Sequence, residues 1–153
     1  MDDYTPEELY KYKLLQVFAS TYNLYQKTWQ YHWNVTGPFF YTYHLLLDTI
    51  YNELIEATDT IAESCRAALL RPTTAPDIIT SLSVVPTPTI DDLSKAPLDM
   101  IQDLYMDNLT ILSLLDDAAD AAEVVDDQAV MNLLADRAQA HKKNIYFLRS
   151  VIS

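Results

Sequence analysis

Apolar and aromatic residues recur along this chain with the period of an α-helix. Leu15, Phe18, Tyr22, Tyr25 and Trp29 follow one another at steps of three or four, the spacing of one helix face. The segment "TPEEL" marks the start. Thr5 can cap, Pro6 suits the first helical position, and Glu8 completes a capping box. "TGP" marks the end, with Gly37 able to take a left-handed cap and Pro38 unable to continue the helix. These signals predict a first helix over about residues 6–35. A second is predicted over about 39–69, with Leu47, Ile50, Tyr51, Leu54, Ile61, Cys65 and Ala68 on its inner stripe, ending before Pro72. A third starts near Ser94 to Pro97 and runs to about 123, with Leu98, Ile101, Leu104, Tyr105, Leu112 and Leu115 inward. A fourth covers about 127–151, with Val130, Leu133, Leu134, Ile145, Phe147 and Leu148 as its apolar side.

The connection between the second and third helices, "RPTTAPDIITSLSVVPTPTIDDL", is long and rich in proline and threonine. It has room for a short helix near 76–83. Two helices, a long crossover and two more helices make an all-α, ferritin-like four-helix bundle. Composition agrees, since the chain holds one glycine in 153 residues, and sheets and tight turns need more. The length suits a single domain, 1–153, with a real core.

The formal net charge is −12. It opposes DNA, RNA and anionic membranes and favours cations. The single cysteine, Cys65, rules out an internal disulfide and fits a reducing compartment. No stretch is long and apolar enough to span a bilayer, and "MDDYTPEEL" does not read as a signal peptide. A cytoplasmic location is expected.

Residues 31–64 add chemistry to this frame. They carry His32, His44, Asp48, Asp59 and Glu63 within one aromatic segment. On an ideal helix with His44 at zero, Asp48 lies near ~40°, Asp59 near ~60° and Glu63 near ~100°. All four share one edge, and Ile55 and Ala62 fall within it, which marks an edge that meets another surface. His44 with Asp48, and Asp59 with Glu63, are i, i+4 pairs, each able to grip one ion. The pairs themselves are far apart. Asp48 and Asp59 are separated by about 16 Å along the axis, and His44 and Glu63 by about 28 Å. Metal–ligand bonds are about 2–2.5 Å. One straight helix cannot close such a site. Two copies packed antiparallel across a two-fold axis near residues 53 and 54 can, and they make two sites at once. His32, near the turn, can join the histidine side. Imidazole with carboxylate suits iron, zinc or manganese better than calcium. Solvated acids and a packed core histidine are the plainer alternative.

With these residues in place the chain resembles the Dps family, the mini-ferritins. "HWNVTGP" at 32–38 and the spacing H-x11-H-x3-D-x10-D-x3-E match the family's ferroxidase signature at every ligand. "NIYFLRSVI" at 144–152 looks like the family's terminal segment, while the crossover and the chain ends depart most. The resemblance implies a hollow homo-dodecameric shell built from two-fold dimers. It implies oxidation of ferrous iron at intersubunit sites, in a di-iron or mono-iron arrangement, typically by hydrogen peroxide, with ferric mineral stored inside. Carried over, His32, His44 and Asp48 come from one subunit and Asp59 and Glu63 from its partner, with zinc or manganese as possible substitutes for iron. Trp33 could take up oxidising equivalents or simply pack. The family lines a three-fold pore with acids near the segment that here holds Asp116, Asp117, Asp120, Glu123, Asp126 and Asp127. Glu53 and Glu56, placed on the far side of the second helix from the core, could nucleate mineral.

Some family members compact DNA through lysine-rich tails. Here the start reads "MDDYT" and the end "RSVIS", which argues against direct DNA binding, though a magnesium bridge stays open. A DNA-compacting shell is the alternative function, separable by a gel shift at low salt. An intrabundle di-iron oxygenase needs Glu-x-x-His motifs, and the chain contains none.

Overall fold

Helices account for most of residues 3–153, which the computed structural model describes. α1 spans Pro6–Asn34, α2 Phe40–Ala67, α3 Pro76–Leu82, α4 Pro97–Val124 and α5 Gln128–Ile152, with a 3-10 turn at Ile90–Ser94. No strand occurs among the described residues. α1 packs on both α2 and α4, and α4 on α5. This is the all-α four-helix bundle with a long crossover carrying a short helix.

Local chemistry sets the helix ends. Thr5 and Glu8 form the expected capping box on α1. Asp127 caps α5 through the Val130 amide. At the α1–α2 turn the cap is Val35 in extended geometry, and Gly37 takes its positive φ of 104° inside the turn. Glycine is suited to that conformation because it has no Cβ to clash. Gly37 also lies beside Pro97. The crossover thus returns the chain along the bundle, so that α4 begins at the same end as α2.

Side chains of α1 hold the crossover down. Ser20 accepts from the Val84 amide at 3.0 Å. Asn23 donates to the Val85 carbonyl and to Thr87, and Gln30 donates to the Thr89 carbonyl at 3.0 Å. Ile79 and Val85 are buried beneath the connection.

Two inward stripes differ from the periodic expectation. On α1 the buried positions are Leu14, Val17, Phe18, Thr21, Leu24, Thr28 and Tyr31, whereas Leu15, Tyr22, Tyr25 and Trp29 are half-buried beside them. Thr21 and Thr28 can enter the core because each hydroxyl donates to the carbonyl four residues earlier, which satisfies the polar group locally. On α4 Leu98 is 52% exposed, and Met100, Ile101, Leu104, Ile111 and Leu115 line the core. Asp107 and Asn108 are buried in that stripe as well.

The partner of Asp107 explains this. Lys27 of α1 is 2% exposed and sits 2.9 Å from both Asp103 and Asp107. Tyr31 donates to Asp103 at 2.5 Å, and Lys95 of the crossover donates to it at 2.8 Å. Burial alone would raise the Asp103 carboxyl, but hydrogen bonds from Lys95, Tyr31 and Lys27 outweigh it and hold it below its ordinary value. Burial dominates at Asp107 and pushes its carboxyl up. This network ties α1, α4 and the crossover through charge in place of hydrocarbon.

Removing one partner of such a pair leaves an uncompensated buried charge. Lys27→Ala is expected to lower unfolding stability in urea by about 3–5 kcal/mol. Replacing the pair by apolar groups, Lys27→Met with Asp107→Leu, should recover most of that loss.

Candidate metal centre

The end of α1 and the start of α2 bring two histidines face to face. The His32 and His44 rings stack with centroids 3.8 Å apart and planes 14° from parallel. Each ring is pinned by the other residue's backbone. His32 Nδ1 donates to the His44 carbonyl and His44 Nδ1 donates to the His32 carbonyl, both at 2.8 Å. A carbonyl only accepts, so both neutral rings carry their proton on Nδ1. Both Nε2 lone pairs are then available, the arrangement that backbone partners impose on metal-binding histidines.

Asp48 follows one turn after His44. Its Oδ1 lies 3.9 Å from His32 Nε2. Asn52, one turn further, donates to the Asp48 carbonyl at 2.8 Å and to its Oδ1 at 3.3 Å. Phe40 tilts against His44, and Tyr51 against His32, with centroids 5.0 Å apart in each case. One protomer therefore brings His32 against His44 and within 3.9 Å of Asp48. Asn52 and Tyr51 were not singled out as site residues by spacing, although both lie at helical steps from Asp48 and His44.

The other two expected ligands stand apart. Asp59 and Glu63 are exposed, further along α2. Asp59 lines a groove of about 780 Å³ with Phe18, Tyr22, Ile55, Thr58 and Ala62. Among the described residues no group of three His, Cys, Asp or Glu side chains in one protomer is arranged to hold an ion. The histidine end and the carboxylate end remain separate, as the rise of a continuous helix requires.

Two other expectations change. Glu53 is not on the far side from the bundle, because it pairs with the buried Arg137 of α5. It is a poor nucleus for mineral, and of that pair only Glu56 stays exposed without such a tie in the salt-bridge pattern. Asp127 is committed to the α5 cap and accepts from the Tyr10 hydroxyl at 2.6 Å. Asp116, Asp117, Asp120, Glu123 and Asp126 are the exposed acids of that segment. Cys65 is buried, and burial pushes its thiol up to about 12, which makes it inert.

The third histidine is structural. His141 is fully buried, donates from Nδ1 to Asn108 at 2.8 Å and accepts at Nε2 from Arg137 at 3.2 Å. Two fixed cations, Lys27 and Arg137, thus occupy the bundle interior. Each is paired with carboxylate, Lys27 with Asp103 and Asp107 and Arg137 with Glu53. No helix among the described residues is long and apolar enough to cross a membrane.

Comparison with known proteins places this geometry in context. A family model described as a ferritin-like domain matches residues 12–153. An uncharacterized low temperature-induced protein of Nostoc sp. is 30% identical over 140 residues, covering 91% of this chain and 77% of that protein. A DNA protection during starvation protein of Brevibacillus brevis is 26% identical over 131 residues, covering 84% and 85%. The crystal structure of a Dps protein from Bacillus brevis superposes with a TM-score of 0.90 at 23% identity, covering 99% of each chain.

Burial, then the Arg137 charge, lowers the His141 imidazole to about 3. The unfolded chain takes up that proton near pH 6.5. Stability is therefore full above about 6.5 and declines as pH falls from there toward the folded value, by up to about 1.4 kcal/mol per pH unit. Unfolding midpoints measured between about pH 4 and 7 should show this slope in the parent and a flatter one in His141→Gln.

Proposed function

The chain belongs to the ferritin-like family, in its Dps branch, and on that premise we propose that it is an iron-storing ferroxidase. Ferrous iron is the substrate. It binds where His32, His44 and Asp48 of one protomer meet Asp59 and Glu63 of the partner subunit. The observation that carries this reading is the reciprocal locking of His32 and His44 through Nδ1. A core pair with only a packing role would gain nothing from two free Nε2 lone pairs, that of His32 lying 3.9 Å from the Asp48 carboxylate. The exposed Asp59 and its apolar groove offer the surface onto which the second copy fits.

The residues divide the work by charge. Asp48, with Asp59 and Glu63 of the partner subunit, supplies the anionic charge that draws a cation from water. The neutral histidines bind without adding charge, and Asn52 orients Asp48. Hydrogen peroxide, a two-electron acceptor, is the oxidant, and each ferrous ion contributes one electron. Zinc and manganese compete for the same ligands.

The whole chain, 1–153, acts as one domain of a twelve-subunit hollow shell in the cytoplasm, and the ferric product collects inside. The exposed acids Asp116, Asp117, Asp120, Glu123 and Asp126 attract iron toward an entry pore. The Brevibacillus relative is named for DNA protection. In this chain protection follows from removing iron and peroxide rather than from contact with DNA, since the net charge is −12.

Anaerobic ferrous iron followed by peroxide tests the reading through the growth of ferric absorbance. Oxidation should be fast in the parent and slow in His32→Ala, Asp59→Ala shells of unchanged size by light scattering. Equal rates would sink it. Subunit mixing is a sharper check. Neither His32→Ala nor Asp59→Ala alone should be active. Co-assembled shells should regain about a quarter of the sites, because a mixed two-fold pair contains one intact site.

A further inference from the structure

We infer that the seam between α1 and α4 holds a second binding site, one for a small zwitterion with an ammonium at one end and a carboxylate at the other. Two cavities of about 350 and 340 Å³ follow one another along this seam and share Lys13 of α1 and Asp117 of α4. Spacing sets the α4 wall. Thr110, Ser113, Asp117, Asp120 and Val124 recur at steps of three or four, so one helix face supplies them all. The groove therefore runs about 21 Å along α4. Lys13 and His32 are about 28 Å apart along α1, so the groove is separate from the metal centre.

The groove keeps polar groups that the fold does not consume. Among the described residues Lys13 and Asp117 form no ion pair, with each other or with a third group. Opposite charges thus line one groove without meeting. Gln16 lines the first cavity, and its Oε1 is buried with no hydrogen-bond partner. A buried oxygen left unpaired costs stability, and leucine in that place would avoid the cost. Thr110 donates its hydroxyl proton to the Met106 carbonyl at 3.1 Å, so what it offers a ligand is an acceptor.

These walls decide the ligand by sign. A dicarboxylate would meet Lys13, but Asp117 and Asp120 oppose it. A diamine would meet the two aspartates, but Lys13 opposes it. A molecule with one charge of each sign satisfies both helices. Its ammonium donates to Asp117 and to Gln16 Oε1, and its carboxylate accepts from Lys13 Nζ. Lys13 and Asp117 stand on opposite walls, so the two charges belong at opposite ends of a short chain. The methylenes between them lie on Leu114, which lines the first cavity. Zero net charge also suits a protein whose own charge of −12 repels simple anions.

Calorimetric titration of the assembled, metal-free protein with 4-aminobutyrate tests the site. Butyrate, butylamine and 1,4-diaminobutane serve as probes that lack one sign of charge. The parent should bind 4-aminobutyrate at one saturable site per chain, on the order of tenfold more tightly than any of the three, as one charge-assisted hydrogen bond provides. Lys13→Met and Asp117→Asn should each weaken it by a similar factor in shells of unchanged size by light scattering. Gln16→Leu should weaken binding too and yet raise the thermal unfolding midpoint, because an unpaired buried oxygen is gone. A residue kept only for packing would lower that midpoint. No saturable binding to the parent overturns the site, whatever the variants do. Equal or tighter binding of the diamine, or affinity unchanged in Lys13→Met, overturns the zwitterion. All these readouts are free of iron, so none depends on the ferroxidase reading.

Discussion

A straight α-helix rises about 1.5 Å per residue, and that rigidity limits what one copy of this chain can do. α2 carries His44 and Asp48 near its start and Asp59 and Glu63 three turns or more beyond. No proline or glycine interrupts Phe40–Ala67, so the helix cannot bend its two ligand pairs together. Each protomer has two open halves. In the proposed function, assembly and not a conformational change within the chain is the step that completes the site.

The histidine half is nonetheless built before any partner arrives. His32 closes α1 and His44 opens α2, and the two backbones clamp each other's rings. The tight turn through Gly37 makes this possible, because it holds the two helix ends within hydrogen-bond reach. Rings fixed in one tautomer lose little freedom when a cation binds, which is the advantage of preorganisation. The carboxylate half, Asp59 and Glu63, is exposed.

Elsewhere the bundle uses polar residues where hydrocarbon is usual. Lys27 with Asp103 and Asp107 joins α1 to α4, and Arg137, His141 and Asn108 join α5 to α4, with Glu53 reaching in from α2. Most of these polar groups have definite partners, although Arg137 Nε and Glu53 Oε1 have none, and the pairs favour one helix register over others that would bury the same apolar area. Both buried cations are matched by carboxylates, Lys27 by Asp103 and Asp107 and Arg137 by Glu53.

The helices, their ends and the crossover were legible in the sequence, because periodicity, capping residues and proline act locally. The shared placement of His44, Asp48, Asp59 and Glu63 along α2 was legible too, since helical geometry converts spacing directly into angle and rise. The α1 and α4 stripes were read a step off. Aromatic rings on α1 count as hydrophobic yet sit at its margin, while Thr21, Thr28, Asp107 and Asn108 enter the core only because their hydrogen-bond partners arrive from the preceding turn or from other helices. The sequence by itself determined which residues lie along each helix and how far apart they must be. Only the tertiary structure decided which of them touch: the stacked histidines, the lysine between two aspartates, and Glu53 bound to Arg137. Those contacts join residues distant along the chain, and no local rule of angle or propensity contains them.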